Sequence, residues 1–151
     1  MAMEMFVLSD RQLGSIAEWQ AAIDAEGFAV KLDDTDFRWH SGFLPAQLNG
    51  KLTGFECYHD SADEFISENS DIDFGHEWKF VLGFRWMGDF HELEAAWTAA
   101  AAYASATDGV VFDGEDGSIL AVAEARQAAR KIVHDTPRML RELQLRRSHE
   151  T

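Results

Sequence analysis

The chain has 151 residues, of which 46% are apolar, and it includes five Trp and eleven Phe. This length and composition predict one folded domain with a substantial core and exclude global disorder. The single cysteine, Cys57, excludes an intramolecular disulfide, which fits a reducing compartment. No apolar stretch approaches the length of a membrane span, and the N-terminal residues lack the basic leader of a signal peptide. We therefore expect a cytoplasmic protein.

Charge is distributed very unevenly along the chain. Residues 1–125 contain 24 acidic and six basic side chains, a formal charge of −18, whereas residues 126–151 contain three acidic and seven basic ones, a formal charge of +4; together they give −14. An acidic body repels nucleic acid and anionic membranes and attracts basic proteins. The expected partner is therefore a protein, and neither nucleic acid nor a membrane.

The first 32 residues predict a β–α–β opening. Met3–Leu8 is typical of a short strand. Ser15 and Glu18 have the spacing of a capping box, in which the serine oxygen accepts a backbone N–H and the glutamate reaches back, so a helix begins there. Gly27 lies where a left-handed C-terminal cap belongs. The alternation of apolar and polar residues over Phe28–Leu32 predicts the second strand.

The middle of the chain predicts a hairpin, a short helix and a long strand. Asn49-Gly50 favours a two-residue turn because both positions need positive φ, and Lys51–His59 follows as a strand. Ser61 and Glu64 indicate a short helix within the acidic stretch. Trp78–Met87 is the longest strand candidate. Its alternate side chains form one aromatic face: Trp78, Phe80, Leu82, Phe84 and Trp86.

The last third of the sequence predicts three helices and one short strand. Asp89 caps a long alanine-rich helix that ends near Thr107, and Gly109–Asp113 follows as a strand. A helix over residues 121–133 comes next, and Thr136-Pro137 predicts the N-terminus of a separate, final basic helix.

The predicted fold class is α+β, with a mixed, largely antiparallel sheet, helices packed mainly on one face and a C-terminal helical extension. We divide the single domain into an acidic α+β part, residues 1–135, and a basic helical tail, residues 136–151. The leucines of this tail favour docking either on the acidic body or on a second copy, and the second arrangement would be a homodimer. Its arginines, which include Arg138, Arg141, Arg146 and Arg147, are alternatively able to contact a phosphate backbone.

Potential catalytic and metal-binding groups do not form a recognisable site. Cys57 and His59 share a strand face, but residues two apart lie roughly 7 Å apart at Cα and the surroundings are acidic, so a buried structural cysteine is the better interpretation. The acidic and histidine residues match no zinc spacing. The calcium-loop pattern of Asp113–Glu124 fails at Gly117 and Ser118. We predict no catalytic residue, no cofactor and no metal.

Glu56 is an exception among the abundant carboxylates because strand alternation places it with Leu52 and Tyr58. If strands 51–59 and 78–87 pair, Lys79 or Arg85 lies opposite Glu56. An ion pair is therefore expected there rather than acid–base chemistry.

The acidic stretch 56–77 has no Lys or Arg in 22 residues, and it admits two interpretations. A run of charge is ordinarily a solvated face. However, Phe65, Ile72, Phe74 and Trp78 interleave with the acids, as an interface requires, and the connection is long. The predicted partner-binding residues are Glu56, Asp60, Asp63, Glu64, Phe65, Glu68, Asp71, Asp73, Phe74 and Glu77.

Three stretches carry a family resemblance. The first comprises Val7-Leu8-Ser9, Ser15-Ile16-Ala17-Glu18-Trp19-Gln20 and Ala22-Ile23-Asp24-Ala25-Glu26-Gly27-Phe28. The second comprises Gly42-Phe43-Leu44-Pro45, Leu48-Asn49-Gly50 and Thr53-Gly54-Phe55-Glu56, and the third is the alanine-rich helix and strand of Ala100–Asp113. Over most of residues 5–115 the chain thereby resembles small acidic bacterial immunity proteins of polymorphic-toxin systems. Such proteins are encoded beside secreted effectors, such as those of type VI or contact-dependent systems.

This resemblance implies a non-enzymatic protein that neutralises a cognate basic toxin domain by occluding its active-site surface. Two alternatives remain open. One is a regulatory or structural protein-interaction module. The other is a small ligand-binding domain or enzyme with a pocket between the aromatic strand face and the long helix.

Overall fold

The computed structural model describes residues 2–149, and the side chains of residues 2–147. It has the predicted α+β class, with four α-helices and seven strands within that range. In chain order these are β1 (Met3–Ser9), α1 (Ile16–Ala25), β2 (Val30–Leu32), β3 (Gly42–Leu48), β4 (Lys51–Ser61), α2 (Ala62–Glu68), β5 (Phe80–Trp86), α3 (Phe90–Thr107), β6 (Val110–Asp113), β7 (Ile119–Leu120) and α4 (Val122–His149), with a single 3-10 turn at Phe37–Trp39.

The strands form one sheet in the order β2-β3-β4-β5-β1-β6-β7. Every pairing in it is antiparallel, which corrects the expectation of a mixed sheet. The opening β1–α1–β2 unit does not pair its two strands with each other, since β1 lies inside the sheet and β2 lies at one edge.

Local signals set several element boundaries. The Ser15 hydroxyl accepts a hydrogen bond from the Glu18 N–H at 3.1 Å, and the Glu18 carboxylate accepts one from the Gly14 N–H at 3.3 Å. Gly27 follows α1 with φ +77°, as a left-handed cap requires. Asn49 and Gly50 both have positive φ in the β3–β4 turn. These features confirm the predicted helix start and hairpin.

The principal core lies between the sheet and the layer formed by α1, α3 and α4. Trp19 on α1 is fully buried at its centre, with its ring centroid 5.0–6.0 Å from four other aromatic rings, and its indole N–H donates to the Ala99 carbonyl at 2.9 Å. Small side chains allow α3 to approach the sheet closely, and its alanines from Ala95 to Ala104 are buried. The four rings around Trp19 belong to Phe37, Phe55, Phe84 and Tyr103.

A second, smaller core lies on the opposite face of the sheet. There α2 and the loop after it cover the outward side chains of β1, β5 and β6, including Leu8, Val81 and Phe112. The outward sides of β2, β3 and β4 do not contribute to this second core. One half of this face is therefore covered and the other half is bare.

Two predicted boundaries are wrong. Strand β5 begins at Phe80 rather than Trp78, and Trp78 packs with the second core instead of sharing the aromatic face of Leu82 and Phe84. The predicted break at Thr136-Pro137 is also wrong, because both residues lie inside the continuous α4. The apolar spacing of α4 continues on both sides of the proline, so the 135/136 division falls within one helix.

None of the helices within residues 2–149 combines the length and apolarity that crossing a bilayer requires.

Candidate protein-interaction surface

The predicted partner-binding segment spans the end of β4, all of α2 and the loop to β5. Seven of its carboxylate side chains are exposed, and we call them the acidic face: Asp60, Asp63, Glu64, Glu68, Asp71, Asp73 and Glu77. Among residues 2–147, none of the seven lies within 4.0 Å of a Lys or Arg nitrogen. The acidic face is thus a surface of one sign with no cationic partner in the described part of the chain.

The two phenylalanines predicted to contact a partner do not belong to this surface. Phe65 is 8% exposed and Phe74 is 6% exposed. The Phe65 ring lies 4.5 Å from Phe6, and both Phe65 and Phe74 contact Phe112 on β6. Phe65 and Phe74 therefore fill the second core, and their prediction as partner-binding residues is wrong.

Side-chain and backbone hydrogen bonds fix the segment that carries the acids. The Ser61 hydroxyl caps the N-terminus of α2, and the Asn69 amide donates to the Phe65 carbonyl at 2.8 Å. The Trp78 indole N–H donates to the Phe74 carbonyl at 3.0 Å, and His76 Nε2 lies 2.6 Å from Asp10 Oδ2. The acidic face is therefore presented by an ordered, anchored segment.

Glu56 lies apart from the acidic face, on the bare half of the sheet. It stands opposite Arg85 in the β4–β5 register, as the sequence predicted, but the two side chains do not form an ion pair within 4.0 Å. The Glu56 carboxylate instead accepts a hydrogen bond from the Tyr58 hydroxyl at 2.5 Å. That hydrogen bond is the main cause that raises the pKa of Tyr58. Lys79 precedes β5 and lies outside the ladder.

The bare half of the sheet also carries an apolar patch that the sequence analysis missed. Phe43, Leu52 and Met87 are 55%, 85% and 54% exposed, and we call them the open patch. The Phe43 ring covers Gly54, two residues from Leu52 on β4. A shallow groove joins Phe43 and Met87 to the carboxylates of Glu56 and Glu92 and to Arg85.

The signal that identifies the open patch is strand alternation. In β3, Leu44, Ala46 and Leu48 are buried towards the helices, so Phe43 points to the other face. The sequence alone does not reveal that α2 leaves this half of the face uncovered.

The structure confirms the structural interpretation of Cys57. Its thiol is buried, and burial raises its pKa to about 12, far from the thiolate that a nucleophile needs. His59 Nε2 lies 2.9 Å from the Phe37 carbonyl and is thereby oriented. The space between the aromatic strand face and α3, where a ligand pocket was the alternative, is filled by the principal core.

Metal-binding geometry is likewise not found in the described residues, where no group of three or more His, Cys, Asp or Glu converges on one point. In the turn after β6, the Asp113 carboxylate accepts a hydrogen bond from the Glu115 N–H, and the Asp116 carboxylate accepts one from the Ser118 N–H, both at 2.9 Å. Burial raises the pKa of Asp113, and the Ser118 hydrogen bonds lower the pKa of Asp116. The carboxylates of this turn are thus used in hydrogen bonds to the backbone N–H groups of the turn itself.

No family model, curated protein or solved structure matches this chain.

Proposed function

We propose that this protein is an immunity protein that binds and neutralises a cognate secreted bacterial toxin in the cytoplasm of the cell that makes both. The observation that carries the proposal is the acidic face: seven exposed carboxylates without a cationic neighbour within 4.0 Å in residues 2–147. Its complement is a basic surface of a partner protein.

Electrostatics supports this choice of partner. A surface of one sign focuses its field outward, and it accelerates association with an oppositely charged protein while repelling nucleic acid. Toxins that act on nucleic acid or nucleotides present basic clefts to their substrates. An acidic, protein-borne surface occludes such a cleft without chemistry of its own, which agrees with the inert setting of Cys57.

The position of Glu68 also favours a binding role. It lies at the C-terminus of α2, where the helix dipole disfavours a negative charge, and four residues after Glu64, a like-charge spacing that destabilises helices. Folding alone gives no reason for an acid at this position, whereas a basic partner does.

Preorganisation supports tight binding. Because Phe65 and Phe74 fix α2 and its loop to the sheet, binding does not have to order the segment that carries the acids. The two phenylalanines thus contribute to binding by holding the acidic segment in place, and they do not contact the partner directly.

The test is affinity purification of the tagged protein from its native cell at moderate salt, with partners identified by mass spectrometry and association rates then measured with the purified partner. The acidic-face variant is Asp63→Asn/Glu64→Gln/Glu68→Gln. A matched control, Asp33→Asn/Asp34→Asn/Asp36→Asn, removes the same three charges from exposed positions outside the acidic face.

We expect wild type and control to capture one stoichiometric basic protein, with an association rate that falls steeply as salt rises. The acidic-face variant is expected to associate at least about tenfold more slowly. If the association rate fell equally in both variants, the effect would be due to net charge alone. An unchanged rate in the acidic-face variant would show that the acidic face is not part of the interface. A captured partner that is not toxic would favour the regulatory-module alternative.

A further inference from the structure

The last turns of α4 form a second surface that the body of the protein leaves unpartnered. Up to Thr136 the helix packs on α3, with Ala125, Ala129 and Thr136 buried. Met139 and Leu140 are half-buried, and every described side chain after them is exposed. Twelve residues, 138–149, therefore continue for about 18 Å. We call this segment the overhang.

The overhang is both apolar and basic. Leu143 continues the spacing of three and four residues with which α4 packs on α3, and Leu145 is 61% exposed. Residues 138–147 contain four Arg and one Glu. Arg126 and Arg130 bind Glu26 of the body, whereas within residues 2–147 the overhang has only its internal Arg138–Glu142 pair at 4.0 Å.

The open patch has the complementary character. Phe43, Leu52 and Met87 provide apolar surface, and the adjoining groove is lined by two carboxylates, Glu56 and Glu92, against one guanidinium, Arg85. The overhang and the open patch lie on opposite sides of the sheet, since α4 packs on α3 over the principal core. A continuous helix that extends beyond the body cannot fold back onto the far face of its own sheet, so their contact requires two molecules.

Like charge argues against pairing two overhangs with each other. Each contains four Arg against one Glu over residues 138–147, and their parallel approach would bring these guanidinium groups together. Placing an overhang on the open patch instead brings its arginines to a groove in which two carboxylates, Glu56 and Glu92, outnumber the one guanidinium of Arg85, and it covers both exposed apolar surfaces.

We propose that the overhang of one copy docks on the open patch of a second copy, so that the chain forms a two-fold dimer by reciprocal exchange. Both surfaces lie at the same end of the molecule, because Met87 lies three residues before the start of α3 at Phe90, and Thr136, just before the overhang, lies beside Glu94 in the second turn of α3. Two copies that meet at this end make the same contact twice, and the assembly closes. This inference is independent of the partner bound by the acidic face.

Light scattering at low salt tests the proposal with the full chain at ~100 µM, above the micromolar range of weak interfaces. We expect wild type to have twice the monomer mass of 17.0 kDa and to dissociate as salt rises. Leu143→Ser/Leu145→Ser and Leu52→Ser/Met87→Ser each alter exposed positions, so circular dichroism should be unchanged while each variant becomes monomeric. Val133→Ser is the matched control on an exposed part of α4 outside the overhang and should stay dimeric.

Mixing the two monomeric variants supplies the decisive result. The patch variant retains an intact overhang and the overhang variant an intact patch, so a one-to-one mixture should form a heterodimer through a single contact, with at least about tenfold weaker affinity than wild type. A monomeric wild type, a dimer that survives either variant, or a mixture that stays monomeric would each overturn the proposal.

Discussion

On one face of the sheet three helices cover the strands, whereas on the other face α2 and its loop cover only the part over β5, β1 and β6. The first face is sealed around Trp19. The second face has two parts. One part is covered by the small aromatic core, whose covering segment carries the acidic face, and the other part is bare and carries the open patch. The acidic face and the open patch, both proposed for recognition, thus lie on the side that is only partly covered, and the following four changes test this difference between the two sides.

The largest effect is expected at the centre of the sealed face. Trp19→Ala removes a fully buried ring and leaves the Ala99 carbonyl without its indole donor, so we expect a loss of about 3–5 kcal/mol in the free energy of unfolding. Urea unfolding followed by circular dichroism measures it. Trp39→Ala, at an exposed position, is the control and should change stability by less than about 0.5 kcal/mol. Similar losses in both would contradict the placement of the core.

A smaller and more local effect is expected in the second core. Phe65→Ala should destabilise by about 2–3 kcal/mol, because Phe65 keeps slight solvent access and belongs to a smaller cluster. Hydrogen exchange should show loss of protection concentrated in α2, with α3 less affected. Ser67→Ala on the exposed side of α2 is the control. Equal loosening of both helices would show that the two cores act as one.

A carboxyl buried against α4 gives the sealed face a pH dependence. Burial raises the pKa of Glu94, an effect that Thr136 and His91 partly offset. The native state therefore binds the proton more tightly than the unfolded chain, so this carboxyl lowers the free energy of unfolding as pH rises above its ordinary value of 4.5.

Accordingly, Glu94→Gln should raise the free energy of unfolding by up to about 1 kcal/mol at neutral pH, and this gain should disappear at about pH 4. Thermal unfolding of variant and wild type across this range measures the difference. Asp34→Asn, an exposed control, should show no such pH-dependent gain. A gain that grows as pH falls would reverse the assigned sign.

The smallest effect is expected on the acidic face. Glu68→Gln removes a charge from the C-terminus of α2 and its repulsion with Glu64, so stability at low salt should rise by about 0.3–0.5 kcal/mol and the gain should fade with salt. Ser70→Ala, exposed just beyond the helix, serves as control. A loss of stability instead would mean that Glu68 supports folding, and would weaken its assignment to recognition.

Sequence reasoning worked where one residue determines its own conformation. The Ser15 cap, the Asn49-Gly50 turn and the Asp89 cap are local features, and they were predicted at the right positions. Burial of Phe65 and Phe74 was not predicted, because the loop that carries Phe74 has no regular period and its partners, including Phe112, lie far along the chain. The open patch was missed for the same reason, since exposure depends on what covers a strand.

The continuity of α4 through Pro137 shows the limit of a strong local signal. Proline removes one backbone donor from the helix, which favours a break. Packing of Ala129, Ile132 and Thr136 on α3 holds the helix on one side, and Arg138–Glu142 has helical spacing on the other. Tertiary contact thus overrides the proline.

The place of β1 in the sheet has a consequence for the order in which the chain acquires its structure. Its first partner, β5, begins at Phe80, and its second, β6, ends at Asp113, so both neighbours of β1 are formed by residues that the ribosome adds at least 70 residues later. Non-local pairing of this kind slows folding. Met3–Leu8 therefore stays unpaired at least until β5 has been synthesised, and the acidic residues between the two strands give the unfinished chain a net charge that opposes its aggregation.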